Sequence, residues 1–444
     1  MAGFPLSIHE LKSCKQPQSS MKTKFALFLS TVGLLHAGSP DLETTIAPKP
    51  EPWIKPLVDI RARYEYGDVS PLDQSNAFSI RERVGFKTMK WNGLSLLAEG
   101  EFTQVAASDY NSGAGPEAYP FDPKNTVIAD PRNAELNQAY LQYEGFDTTA
   151  QVGREKIIYD NAAFIGNVGW RQNEQTFDGV TLANKSIDGL TLKAAYINQV
   201  NRIFGAEADS QLVAVAPTAT KPARIFDNVQ DIDSNIGLLN ASYTGIKDVT
   251  LGGYAYLMEF DEKENWDNNT FGMSAQADTL GLTLYGEIAW QDKAGFGADD
   301  DAFYFHAIAT KKFGTQSVSL GVEQLNAGFK TPLATVHLFN GWADVFDAGR
   351  IEGTHNGLTD VYASHTIPLF YGLKWTNVFH IFGENEISTG YGWEYDSMLV
   401  KKFDDHFTAI AKFAFFESEG DSYIVNGTAV PDATRFSIEL NYVF

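Results

Sequence analysis

Cysteine is nearly absent from this chain: the only one, Cys14, stands among the first twenty residues. No disulfide and no thiol chemistry is therefore expected in the rest, and since Cys14 follows no apolar run, neither is a lipoprotein anchor. Basic residues are scarce as well, 34 Lys and Arg against 56 Asp and Glu, for a formal charge of -22. Beyond Ala37 the balance is 30 against 55, or -25, which argues against nucleic acid as a partner. Long apolar runs are missing beyond the amino-terminal region, and the mean hydropathy is -0.21. A helical membrane protein, which needs roughly 20 apolar residues per span, is excluded by this. A membrane barrel is not, because its strands need only about ten residues, half of them apolar. Sequence patterns of catalysis are also lacking: there is no nucleophile elbow, phosphate loop or zinc spacing. No enzyme activity and no cofactor are expected. The scattered histidines, among them His337, His355, His365 and His380, read as wall residues, and Asp299, Asp300 and Asp301 as an acidic loop tip rather than a cation site.

What is present is strand and turn material: 31 Phe, 19 Tyr, 8 Trp and 38 Gly spread along the chain. Met21 to Lys24 form a basic n-region, followed by the apolar run Phe25 to Leu35 and a small-residue site at Ala37. Residues 1–37 thus read as a leader plus a secretory signal peptide, with the true start at Met21. Residues 38–56, rich in proline, read as a periplasmic lead-in.

The carboxyl-terminal stretch sets the fold class. Phe436, Ile438, Leu440, Tyr442 and Phe444 share one face at period two, and Ser437, Glu439 and Asn441 share the other. An aromatic last residue on such a strand is a feature that bacterial outer-membrane barrels have in common. From Leu57 onward about eighteen segments of this kind follow one another, and short and longer connections alternate between them. A soluble sandwich has no reason to sort its connections by parity, whereas an up-and-down barrel has all its turns on one rim and its loops on the other. We therefore expect an all-β, transmembrane, up-and-down antiparallel barrel of about 18 strands over residues 57–444, in the cell outer membrane. Its outer face meets lipid, and its last strand, ending in Phe444, would engage the barrel-assembly machinery.

Strand arginines should then point into the lumen, because arginine at the lipid midplane costs about 2 to 4 kcal/mol. Arg61 and Arg63 share a face with Asp59 and Glu65, and Arg81 and Arg83 share a face opposite Phe78, Ile80, Val84 and Phe86. Together with Arg154 and Arg171 they would form a guanidinium stripe suited to carboxylates. Equally, they could pair with Glu99, Glu101, Glu135 and Asp178 and only stiffen the wall. Glu82 falls on the lipid row, which calls for a place above the membrane or a bulge.

Several motifs resemble the alginate export family of outer-membrane barrels. The most specific is Phe339, Asn340, Gly341, Trp342, Ala343 and Asp344, followed by Gly357, Leu358, Asp360 and Tyr362. Gly153 and Arg154 with Ile157; Phe164, Ile165 and Gly166; Trp170 leading to Thr176 through Val180; and Gly392, Glu394 and Asp396 add to it. The resemblance implies an eighteen-stranded barrel with a cationic constriction that conducts a polyuronate past lumen arginines. Val345 and Glu155 depart from the family's pattern and make the path less positive.

The connection 324–356 is too apolar for a plain solvated loop, since Leu333, Val336, Leu338, Phe339, Trp342, Val345 and Phe346 need a surface to cover. It is expected to enter or cover the pore as a plug or constriction, with Asn340, Trp342 and Asp344 as its gate residues. The function expected is a passive channel for an anionic polysaccharide or oligosaccharide, exporting an alginate-like polymer in company with periplasmic export components. The alternatives are a general or small-anion porin and a barrel hydrolase.

Overall fold

The structure, a computed structural model of the chain, describes residues 52–208, 213–215, 224–226, 228–294, 300–385, 390–419 and 430–444. The leader, the signal peptide, the lead-in up to Glu51 and Asp299 lie outside the described residues. Eighteen antiparallel strands close into one barrel. The first seven are β1 (Ile54–Val69), β2 (Ser75–Thr88), β3 (Leu94–Asp109), β4 (Asn133–Gly145), β5 (Thr148–Glu155), β6 (Thr176–Asn184) and β7 (Leu190–Asn201). A short hairpin, β8 (Val213–Val215) and β9 (Arg224–Phe226), belongs to a separate two-stranded sheet. The barrel resumes with β10 (Asp231–Ile246), β11 (Val249–Phe260), β12 (Asn268–Thr279), β13 (Leu282–Ala294), β14 (Asp300–Phe313) and β15 (Gln316–Leu325). It ends with β16 (Leu358–Pro368), β17 (Leu373–Gly383), β18 (Gly390–Lys402), β19 (Phe407–Ser418) and β20 (Ala433–Val443).

Each barrel strand pairs with the next, and β1 pairs with β20 from Asp59 opposite Val443 to Val69 opposite Ala433. No edge is left, as a bilayer demands of backbone groups that find no water to bond. Side chains sort by alternation: on β20, Ser437, Glu439 and Asn441 are buried inside while Ile438 and Leu440 are exposed outward. On β3, Leu94, Leu96 and Phe102 face out and Ser95, Glu99, Glu101 and Thr103 face in. The eighteen strands and their order are those the sequence alternation predicted.

The connections also sort by rim. Tight turns such as 146–147, 247–248, 280–281 and 314–315 lie on the rim that holds both ends of the barrel, and the long segments 110–132, 156–175 and 326–357 start from the other. In an outer-membrane barrel the turn rim faces the periplasm. Exposed Phe146, Leu280, Phe370, Tyr371 and Phe403 mark this rim on the outside. Bulges fall on β3 before Ala107, on β4 at Asn137 and on β7 at Asn198, all toward the loop rim. None shifts Glu82, which keeps its outward row between Ile60 and Phe102.

The three long segments turn inward, and the apolar core lies inside the barrel. Phe164, Ile165, Phe329, Leu333 and Phe339 pack against Ile197, Ile236, Leu238, Tyr254, Tyr256, Met258 and Tyr304 of the wall. Trp342, Ala343 and Phe346 pack on Leu358, Tyr362, Val378, Phe382, Tyr391 and Phe416, and the short helix α1 (Asp347–Glu352) after them lays Ile351 against the first cluster. A fully buried Leu or Phe contributes about 1.5–3 kcal/mol, so packing seats these segments firmly.

Candidate functional site

The site lies where segments 156–175 and 326–357 meet across the lumen. Their backbones are knitted together: Gly166 N–H donates to Leu333 O at 2.8 Å, and Thr335 N–H to Ala162 O at 3.0 Å. From this junction one tip of each segment reaches the charged wall formed by β1–β4 and β18–β20. Arg171 comes from the first and Asp344 from the second, and they join at 2.8 Å. Arg171 also reaches Glu65 at 3.2 Å, and Arg435 of β20 reaches Glu65 at 3.3 Å and Asp344 at 3.7 Å. Two guanidinium groups thus flank one loop carboxylate.

His337 fixes the other side of Asp344, at 2.5 Å from Nδ1 to Oδ1. Its Nε2 faces Lys412 Nζ at 3.1 Å, so Nε2 accepts and Nδ1 carries the proton donated to Asp344. Burial pushes the His337 imidazole down to about 3, and Lys412 and Arg171 act in the same direction against Asp344. For Asp344 the cost of burial is outweighed by His337, Arg435 and Arg171, which hold its carboxyl well below the usual carboxylate range. The indole of Trp170 stacks on His337 with centroids 4.1 Å apart, and both Arg63 (3.9 Å) and Lys412 (3.3 Å) lie over that indole.

The loop tip rests on buried acids of the wall. Trp342 N–H donates to Asp396 at 3.2 Å and Ala343 N–H to Glu394 at 2.8 Å. Asn340 donates to Glu323 at 2.9 Å, and Arg350 of α1 pairs with Glu323 at 3.0 Å while donating to Asn340 at 2.7 Å. His380 joins Asp360 at 2.9 Å to Asp396 at 3.5 Å. Residues far apart in sequence, the run Asn340–Asp344, Asp360 and Tyr362, and Glu394 and Asp396, are thereby one seat for the loop.

Of the arginines singled out from sequence, Arg61, Arg63, Arg81 and Arg83 face the lumen and are buried. None presents a free guanidinium. Arg61 meets Glu439 at 3.4 Å and donates to the carbonyls of Gly169, Trp170 and Arg171, while Arg63 meets Glu65 at 2.6 Å. Arg81 pairs with Asp59, and Arg83 with Glu101 and, at 3.1 Å, with Glu174. Two expectations need correction. Arg171 lies in the inturned segment, because β5 ends at Glu155 and β6 begins only at Thr176. Arg154 lies on the outward row with Val152 and Leu141, not in the lumen. There, one residue from the loop end of β5, it is neutralised by Asp178 at 2.7 and 2.8 Å and donates to Leu136 O, which lowers the cost of an arginine on that face.

Sequence reasoning did not single out Arg435, Lys412, Glu323 or Arg350. Arg435 was readable by parity, since it shares the row of Ser437, Glu439 and Asn441. The lumen nearer the turn rim is different again. Gln142, Gln151, Ser242, Ser274, Thr310 and Thr366 line it with neutral hydroxyl and amide groups.

Residues 58–328 match the family described as alginate export. No curated protein matches the sequence. Among solved structures, OccAB4 of Acinetobacter baumannii is similar with a TM-score of 0.63 at 13% identity, over 90% of this chain and 100% of that one. OpdK of Pseudomonas aeruginosa, solved with vanillate, gives 0.61 at 13%, over 88% and 98%. OpdO of the same organism gives 0.61 at 13%, over 88% and 97%. At these identities the likeness is one of fold. Together with the family match it places the chain in the cell outer membrane as a porin-like channel, its outward rows in lipid.

Proposed function

Since the chain belongs to the alginate export family, we propose that this passive outer-membrane channel conducts an anionic saccharide, a polyuronate of the alginate kind, outward from the periplasm. The observation that carries the reading is the seat of Asp344. A carboxylate held between Arg171 and Arg435 beside the face of Trp170 is the arrangement a uronic acid residue asks for. Its carboxylate takes the two guanidinium groups, and its pyranose face covers the indole. Asp344 occupies that place while the loop is seated, and withdrawal of the loop tip opens it. The hydroxyl- and amide-lined lumen toward the turn rim suits sugar hydroxyls, which it can bond without gripping.

No catalytic step and no cofactor enter this proposal. Barrel-assembly machinery acting on β20 and periplasmic export components are the partners it proposes. Conductance of single channels in a planar bilayer, with oligouronates of graded length, tests the reading. Block that strengthens with length, and that weakens in Arg171→Gln, is expected; indifference to uronates at every length would overturn it. A porin for small carboxylates is favoured by one observation, the packing of the inturned segments against the lumen wall. Block by a monouronate equal to that by long oligomers would select it.

A further inference from the structure

Arginines of the lumen wall are confined to its middle layer, which also holds Lys412, whereas lysines alone continue the inward rows to the turn rim. The arginines of the lumen stand in the middle layer and are paired there with carboxylates. The turn rim carries lysines instead. Lys55 on β1, Lys87 on β2, Lys312 on β14, Lys374 on β17 and Lys402 on β18 all fall on the inward rows of their strands, near the mouth. Parity shows this directly: Lys55 and Lys87 continue the rows of Arg61 and Arg81, Lys312 that of Thr310, Lys374 that of Thr376, and Lys402 that of Asp396 and Met398.

Two further facts set these lysines apart from ordinary surface charge. Lys55 and Lys87 stand directly opposite each other in the β1–β2 ladder, a like-charge pair that costs stability. Among the described residues Lys55, Lys312 and Lys374 have no ion-pair partner, while Lys87 reaches only the neutral Gln142 at 3.3 Å and Lys402 reaches Asp405 at 2.9 Å. The acids on inward rows at this mouth are Glu144, already engaged by Lys90, and Asp278, which accepts from Thr283, and the turns add Asp147, Asp188, Asp248, Asp404 and Asp405 outside these rows. The loop rim has the opposite sign. Asp68, Glu117, Asp261, Glu262, Glu384 and Glu419 lie there, and its exposed bases among the described residues are Lys124 and Arg132, the latter paired with Glu207.

We propose that the inward lysines of the turn rim form a capture ring that draws a polyanionic chain into the periplasmic mouth, while the acidic loop rim opposes entry from outside. The proposal rests on the polyuronate reading for its physiological ligand but not for its physics, since a focused field of one sign raises the rate of encounter with any polyanion. It assigns capture to the lysines and leaves the arginines to the seat of Asp344. A passive channel cannot pump, so the asymmetry lies in rates of entry and matches a polymer supplied from the inner side.

The test uses the full chain in planar bilayers, its orientation fixed by reaction of Phe146→Cys with an impermeant thiol reagent added to one side. Polyglutamate and oligogalacturonate of matched charge are presented to each side in turn, and the on-rate of block is read. Block from the turn side should be about tenfold or more faster, with the difference shrinking as ionic strength rises. In the variant Lys55→Gln, Lys312→Gln, Lys374→Gln, Lys402→Gln it should collapse to about twofold or less. The pair Lys311→Gln, Lys401→Gln, one residue along on the outward rows, should leave it unchanged, and open-channel conductance without polyanion checks that each variant has folded. Equal rates from both sides in the unaltered chain, or an equal loss in the outward pair, would overturn the ring. Asymmetric block by polyglutamate with none by oligogalacturonate would uphold the ring and remove the saccharide reading.

Discussion

Gly341 lies against the carboxylate of Glu394 with φ at +88°, so a Cβ at this position would overlap that carboxylate. Glu394 cannot easily give way, because it is buried and accepts from Ala343 N–H at 2.8 Å. Gly341→Ala should therefore lift the loop tip from its seat, at a cost of about 1–3 kcal/mol from backbone strain alone. Single-channel records should show more frequent and longer openings than the unaltered chain. An unchanged open probability would mean that the tip does not gate the pore.

Removing the carboxylate that two arginines share should change selectivity as well as seating. Asp344→Asn leaves Arg171 and Arg435 with Glu65 alone and deprives His337 of its charged acceptor. Breaking a buried pair from one side costs about 3–5 kcal/mol. The reversal potential in a salt gradient should move toward anion preference, and oligouronate block should strengthen because the internal competitor is gone.

His337 makes seating depend on pH in a definite direction. Seated, its imidazole stays neutral down to about 3; released into water it takes a proton near 6.5. Below about 6.5 the released state gains protons that the seated state does not, so seating weakens as pH falls from about 6.5 toward 3. Asp344 adds nothing in the upper part of this window, since it is ionised in both states above its ordinary range. Asp347, pushed up by burial and by Asp344, acts in the opposite sense. The His337→Gln variant isolates the histidine: channel opening on acidification from pH 7 to 5 should be smaller in it than in the unaltered chain.

The outward position of Arg154 and the inward position of Arg83 predict opposite results for one substitution. Arg154→Gln removes a partly exposed ion pair with Asp178 at the loop end of β5 and should cost about 1 kcal/mol or less, with anion selectivity unchanged. Arg83→Gln strands Glu101 in the interior, while Glu174 keeps Lys156, and should cost about 3–5 kcal/mol. Thermal unfolding in detergent, read by the loss of the compact band on a gel, compares the two.

Period-two patterning carried most of the fold, because closure leaves a strand no freedom over which row faces lipid. Phe436 through Phe444 and Leu94 through Phe102 could be sorted from their residues alone, and the alternation of short and long connections followed. Arg154 escaped because the energetic rule for arginine was applied without the parity of its own strand: Val152 faces lipid, and Arg154 is two residues on. Arg171 escaped because Gly169 to Gln175, polar and rich in side-chain partners, carries no alternation by which to tell a wall strand from an inturned loop. Of the seat, only the loop residues Asn340, Trp342 and Asp344 could be singled out, not the partners that hold them. Nothing local links Gly341 to Glu394 or Arg350 to Glu323; only the closing of the barrel brings them together.

Segment 326–357 is continuous with β15 at one end and β16 at the other. A tip that leaves its seat therefore stays on a double tether, at a local concentration in the millimolar range or above, and its return is a unimolecular event. Substitutions that loosen the seat should then shorten each closed dwell without leaving any molecule permanently open. The channel can flicker, but it cannot lose its stopper.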